Sequence, residues 1–164
     1  MTLSVALLLT AMSTSSVEAE VGVRTASLDE LAAAIDVCMG LPDDGQVAAL
    51  TDAGWSPTVE PTEVTIGGRS TMVNFGWYSK ADTGMTMAPG DAFGCGGLGY
   101  FRSFISPEDL EVFVRDDLGA EITARRSPNN LVLSLNGRVV RLKASRDPEV
   151  PEVSFIVAPR KGVR

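Results

Sequence analysis

Asn136-Gly137 is the strongest folding instruction in the chain, because a pair that favours tight hairpin turns stands between two runs of alternating apolar residues. Pairing Leu135 with Arg138 across that turn sets Leu133 opposite Val140 and Leu131 opposite Leu142. The large apolar residues of both strands then share one face. The opposite face carries Ser134, Val139, Arg141 and Lys143, with Val132 between them, and is expected to be solvated. Segments 121–126 and 152–158 extend the hairpin into a four-stranded meander. Arg125, on the neighbouring strand, is expected to lengthen this face into a basic stripe of Arg125, Arg141 and Lys143.

Upstream the period changes. Ser27-Leu28-Asp29-Glu30 has the capping-box spacing, and Leu28, Leu31, Ile35, Cys38 and Met39 recur at helical intervals, which predicts an amphipathic helix ending at Gly40. Pro42-Asp43-Asp44 is expected to open a second, short helix through Val47 and Leu50, with Gly54 closing it. From Glu63 the period becomes two, and a Gly67-Gly68 turn puts Val64 and Ile66 on one face with Val73, Phe75 and Trp77, an apolar-faced hairpin. Residues 80–99 are rich in Gly, Met and Pro with no sustained period. They read as a long loop with a short strand embedded near 98–104, and long ordered loops are often functional. Ser106-Pro107-Glu108-Asp109 starts a third helix with a buried stripe of Leu110, Phe113, Val114 and Leu118, ended by Gly119. Together these describe an α+β fold: a largely antiparallel sheet, made of an N-terminal hairpin and a C-terminal meander, with about three helices on one face.

The N-terminus reads as an export signal. Leu3 to Met12 is a run of ten apolar or small residues, followed by Ser13-Thr14-Ser15-Ser16 and then Val17-Glu18-Ala19, a small-x-small cleavage pattern. The run is shorter than the roughly twenty residues a membrane span needs. Cleavage after Ala19 leaves residues 20–164 as a single α+β globular domain. Met1-Thr2 supplies no Lys or Arg before the apolar run, which leaves open an atypical signal or a start placed too far downstream. The expected location is the periplasm or the extracellular space.

Export gives the two cysteines a meaning. In an oxidising compartment Cys38 and Cys95 are expected to form one disulfide, and their separation excludes a CxxC redox motif. Cys38 lies on the apolar stripe of the first helix, and Gly94-Cys95-Gly96-Gly97 permits a close approach to it. The rival role for Cys95, a reactive thiol, has no histidine to activate it anywhere in the chain.

That absence of histidine also removes Ser-His-Asp and Cys-His nucleophiles and the common zinc ligand sets. The acids sit at helix starts or in exposed runs, and none follows the spacing of a calcium loop. Gly94 to Gly99 lacks the strand-loop-helix setting and the Gly-Lys-Ser or Gly-Lys-Thr of a phosphate-binding loop. No catalytic, cofactor or metal residue is therefore expected. Net charge is −7, which does not favour nonspecific nucleic-acid binding, yet it is unevenly placed: residues 1–120 hold 17 acids and 5 bases, residues 121–164 hold 4 acids and 9 bases. Trp55, Trp77, Tyr78, Tyr100 and Phe101 could form an aromatic platform or pack in the core. The expected function is a small exported, non-enzymatic binding domain. Its partner would be a protein or an anionic envelope component held at Arg125, Arg141 and Lys143. The alternative is a small exported enzyme or an enzyme inhibitor that uses the 80–99 loop.

Overall fold

The first helix, α1 (Leu28–Gly40), forms where the capping box predicts it: the Ser27 hydroxyl accepts from the Glu30 N–H, and the Glu30 carboxylate accepts from the Ser27 N–H at 2.9 Å. Its stripe Leu31, Ala34, Ile35 and Cys38 is buried. The computed structural model that describes this helix covers residues 24–58, 62–66, 69–73, 76–90 and 94–160, so the export segment 1–19 lies outside the described residues.

Helix α2 (Gln46–Asp52) starts later than Pro42-Asp43-Asp44, behind Gly45 in the left-handed conformation at φ 76°. The reason is that Asp43 is engaged elsewhere. Its carboxylate accepts from the Arg160 N–H at 3.1 Å and lies 3.9 Å from the Arg138 guanidinium. Leu50 faces the core, whereas Val47 is exposed.

Among the described residues ten strands follow in chain order: β1 (Ser56–Pro57), β2 (Thr62–Ile66), β3 (Arg69–Val73), β4 (Tyr78–Ser79), β5 (Met85–Ala88), β6 (Cys95–Tyr100), β7 (Glu121–Ser127), β8 (Asn130–Leu135), β9 (Arg138–Ala144) and β10 (Glu152–Val157). Between β6 and β7 runs α3 (Pro107–Val112), capped by Ser106 and continued by a π-helical turn, Phe113–Asp117. That turn replaces the last part of the expected single helix. Leu118 N–H bonds back to Phe113 O at 3.0 Å, and Leu110, Phe113 and Val114 are all buried.

Eight strands form one antiparallel sheet in the order β1-β4-β5-β6-β10-β9-β8-β7. Strands β7-β8-β9-β10 form the expected meander, and β8 meets β9 in the expected register, with Leu135 opposite Arg138, Leu133 opposite Val140 and Leu131 opposite Leu142. Strands β2 and β3 pair with Ile66 opposite Arg69, the register a two-residue connection requires, but they form a two-stranded sheet of their own. The place beside β10 belongs to β6.

This corrects the reading of 80–99 as a loop. The segment contributes β5 and β6, two central strands whose alternate residues Met85, Met87 and Cys95 are buried. The glycines make that possible in a way composition does not announce. A Cβ on Gly97 would sit 2.6 Å from the Phe155 ring, so it is the bulk of Phe155 on the adjacent strand, rather than the approach of α1, that excludes a side chain there.

One face of the sheet is the core. Leu131, Leu133, Val140, Leu142, Val153, Phe155 and Val157 meet Leu31, Ile35 and Phe113 from the helices. Cys38 and Cys95 form a disulfide, with Cα atoms 5.4 Å apart, which ties the last turn of α1 to the first residue of β6. Both sulfurs are buried, which removes Cys95 as a reactive thiol.

Candidate binding surface

Strand parity puts Val139, Arg141 and Lys143 on the face away from the helices, and all three are exposed. Among the described residues neither Arg141 nor Lys143 forms an ion pair. The pairings across the sheet then decide what surrounds them. Ala88 opposes Gly96, Gly96 opposes Ile156, Ile156 opposes Arg141 and Arg141 opposes Val132. The next row runs Thr86, Leu98, Ser154, Lys143 and Asn130. Two cations therefore stand mid-sheet on β9, each one strand in from the end of its row.

Trp77 precedes Tyr78 at the start of β4, and Tyr78 opposes Met87 on the core side. Trp77 is thereby turned to the open side, where it is 42% exposed, and Ile156 is 46% exposed. Gly96 leaves a dip between them. Trp77, Pro89, Gly96 and Ile156 line a groove of about 370 Å³, and a smaller hollow of about 120 Å³ between Asn130, Arg141, Lys143 and Ser154 continues it across Ile156. Of the five aromatics that could have formed a platform, Trp55, Tyr78 and Phe101 are core residues, and only Trp77 and Tyr100 reach solvent.

Arg125 does not join the stripe, which corrects the expectation from strand alternation. In an unbroken ladder continuing from Glu121 opposite Ser134, Arg125 would oppose Asn130 beside Lys143. A register shift between Ile122 and Ala124 instead sets it opposite Leu131, on the helix side. One extra residue in a strand reverses the face of everything beyond it. There Arg125 meets α3: its Nε and Nη2 donate to the two carboxylate oxygens of Glu111 at 3.0 and 2.9 Å. The hydrogen bond from Arg125 holds the Glu111 carboxyl below its ordinary range, and the same bond raises the guanidinium. Both groups are solvated, so the pair is a surface clamp between α3 and β7.

Arg138 is a site the sequence reading passed over, although its parity with Val140 and Leu142 was visible. It points into the helix side and is buried. Its Nη1 donates to the Cys38 and Met39 carbonyls at 3.2 and 3.0 Å, and its Nη2 donates to Ala158 O at 2.7 Å. The guanidinium thus satisfies carbonyls of the last turn of α1, groups a helix leaves unbonded. Loss of water around it lowers its pKa from the ordinary arginine value, as does the nearby Arg160, against a smaller opposing pull from Asp43.

Elsewhere, Ser127, Asn129, Lys143, Ser145, Arg146, Asp147 and Glu152 line a polar pocket of about 520 Å³ at the end of the meander. Asn129 is spent there on the Ser145 carbonyl at 3.0 Å. On the helix side Ala33, Val37, Trp55 and Lys80 line a groove of about 400 Å³. Among the described residues no group of three or more His, Cys, Asp or Glu side chains is placed to hold a metal, and no helix is long and apolar enough to cross a membrane. No protein-family model matches the chain, and no curated protein or solved structure matches it at a significant level.

Proposed function

We propose that this chain is an exported, non-enzymatic binding domain, and that it recognises an anionic partner of the periplasm or cell envelope through the open face of its sheet. The observation that carries the reading is the placement of Arg141 and Lys143, exposed and without an acid partner among the described residues, beside a groove lined by Trp77, Gly96 and Ile156. Arg125 and Arg138, by contrast, are spent on contacts within the fold, with Glu111 and with the carbonyls of Cys38, Met39 and Ala158. Two unmatched cations in a protein of net charge −7 form a local positive field that attracts anions against the average of the molecule. The disulfide between Cys38 and Cys95 favours an oxidising compartment and supports the export part of the reading.

A backbone amide NMR titration with poly-L-glutamate at low ionic strength tests the binding. Shift changes are expected on β9 and β10, fading with added salt and lost in the double variant Arg141→Glu, Lys143→Glu. Changes spread evenly over the molecule, or unaltered by the double variant, would refute the reading. Mass spectrometry of the protein from its native compartment tests export, with a chain starting at Glu20 and lacking two protons expected.

A further inference from the structure

We infer that the open face takes a small amphipathic carboxylate, with its anionic head at Arg141 and Lys143 and its aliphatic or aromatic body in the groove floored by Gly96; the inference rests on the proposed use of this face for binding. The two halves of such a ligand correspond to two features that one row of the sheet sets side by side. Strands are spaced about 4.8 Å apart, so Arg141 stands about 10 Å from Gly96 and about 14 Å from Ala88 along the row Ala88, Gly96, Ile156, Arg141. A molecule of that length spans from the groove to the cations.

The groove has the chemistry for the apolar end. Gly96 opens the floor because the backbone there admits no side chain: a Cβ would sit 2.8 Å from the Phe155 carbonyl oxygen. Trp77 and Pro89 form one wall and Ile156 the other. At about 370 Å³ it lies at the small end of the range of about 300–1,000 Å³ typical of small-molecule sites. An exposed tryptophan beside an exposed isoleucine is apolar area that a ligand removes from water.

The cationic end selects the head group. Arg141 and Lys143 alternate on β9 and are therefore about 7 Å apart along the strand, close enough to share one anion or flank it. The neighbouring backbone N–H groups of β9 are directed along the sheet to β8 and β10 and do not point at the ligand. Phosphate sites draw on converging backbone N–H groups at helix starts or nests, which a flat ladder does not supply. A planar carboxylate needs only the fork of one guanidinium, which Arg141 provides, with Lys143 beside it.

Decanoate, used below its micellar concentration, is the probe, with decanol as the same body without the charge and acetate as the head group without the body. Amide NMR titration is expected to show saturable shifts on β5, β6, β9 and β10 for decanoate, with affinity at least fivefold weaker for decanol and for acetate. The exposed pair Arg141→Gln, Lys143→Gln should weaken decanoate about fivefold and bring it to the level of decanol, a loss of the size exposed charge interactions allow. Trp77→Ala, also exposed, should weaken decanoate and leave acetate unchanged. Unshifted spectra for the remaining residues will show that both variants are folded. Equal affinity for decanol and decanoate overturns the inference, as does a response centred on Ala33, Val37 and Trp55 at the helix-side groove. If poly-L-glutamate moves β9 and β10 while decanoate moves nothing, the amphipathic site is wrong and the anion-binding face stands. If neither ligand moves those strands, both readings fall.

Discussion

Arg138 and Arg125 show how much a single side chain can depend on where its strand turns it. Arg138 is a buried cation whose three carbonyl partners belong to the end of α1 and to the segment after β10. Replacing it with methionine keeps an apolar stem but removes the donor of the Cys38 and Ala158 carbonyls and leaves Met39 only the 3.4 Å bond from Arg160. The expected cost is about 2–4 kcal/mol, read as a lower urea midpoint with an unchanged slope. Glu111 carries a smaller effect with a definite sign. Because Arg125 lowers its folded-state pKa from the ordinary 4.5, its contribution is complete above that value and is lost as the pH falls through the lowered one. In Glu111→Gln the stability should therefore decline less steeply below pH 4.5 than in the parent, measured by thermal unfolding across the acid limb.

At the scale of elements, the disulfide joins the last turn of α1 to β6, and the two cysteines are 57 residues apart in sequence. Closing a loop of that length contributes about 4 kcal/mol in the chain-entropy model. Cys38→Ala with Cys95→Ala should lower stability by up to that amount, seen as a concerted fall of the denaturant midpoint. Burial of both sulfurs against the core predicts that the native bond resists mild reductant until the protein unfolds. The glycines beside Cys95 belong to the same junction. Phe155 fills the space over Gly97 that any larger residue would need, so the apparent looseness of Gly96-Gly97 is a packing requirement of the adjacent strand. The turn at Asn136-Gly137 has φ of 48° and 77°, the left-handed pair that a two-residue hairpin demands.

At the scale of the whole molecule, all three helices lie to one side of the eight-stranded sheet, and the exposed face of β9 lies on the other. The buried contacts are thereby gathered on one face, and the proposed binding surface lies on the other. Arg141→Glu with Lys143→Glu should leave the melting temperature within about 2 °C of the parent, since surface changes away from buried contacts alter stability little. A larger fall would mean that the two cations hold the fold together.

Much of this was legible from local spacing. The capping box at Ser27, the stripe through Cys38, the caps at Ser106 and the register around Asn136-Gly137 each depend on residues a few positions apart, where propensity and alternation act directly. The failures arose where distant chain segments compete. Nothing in the composition of 80–99 announces that Met85 and Met87 alternate against Gly97 and Gly99, because the groups that make those glycines necessary come from separate elements, the Phe155 ring of β10 over Gly97 and Met85 with Ala26 over Gly99. Likewise the one-residue bulge that turns Arg125 to the helix side leaves no mark in the alternation of so polar a strand.

The sequence by itself determined the α+β class, the caps of α1 and α3, the meander and the register of β8 against β9, because turn chemistry and period act over a few residues. Only the tertiary structure decided that β6 lies beside β10, that Arg125 leaves the basic stripe for Glu111, and that Ala88, Gly96, Ile156 and Arg141 share one row. Those outcomes depend on which strands, far apart along the chain, bury the most apolar surface together, and that competition is settled only when the whole sheet closes over its core.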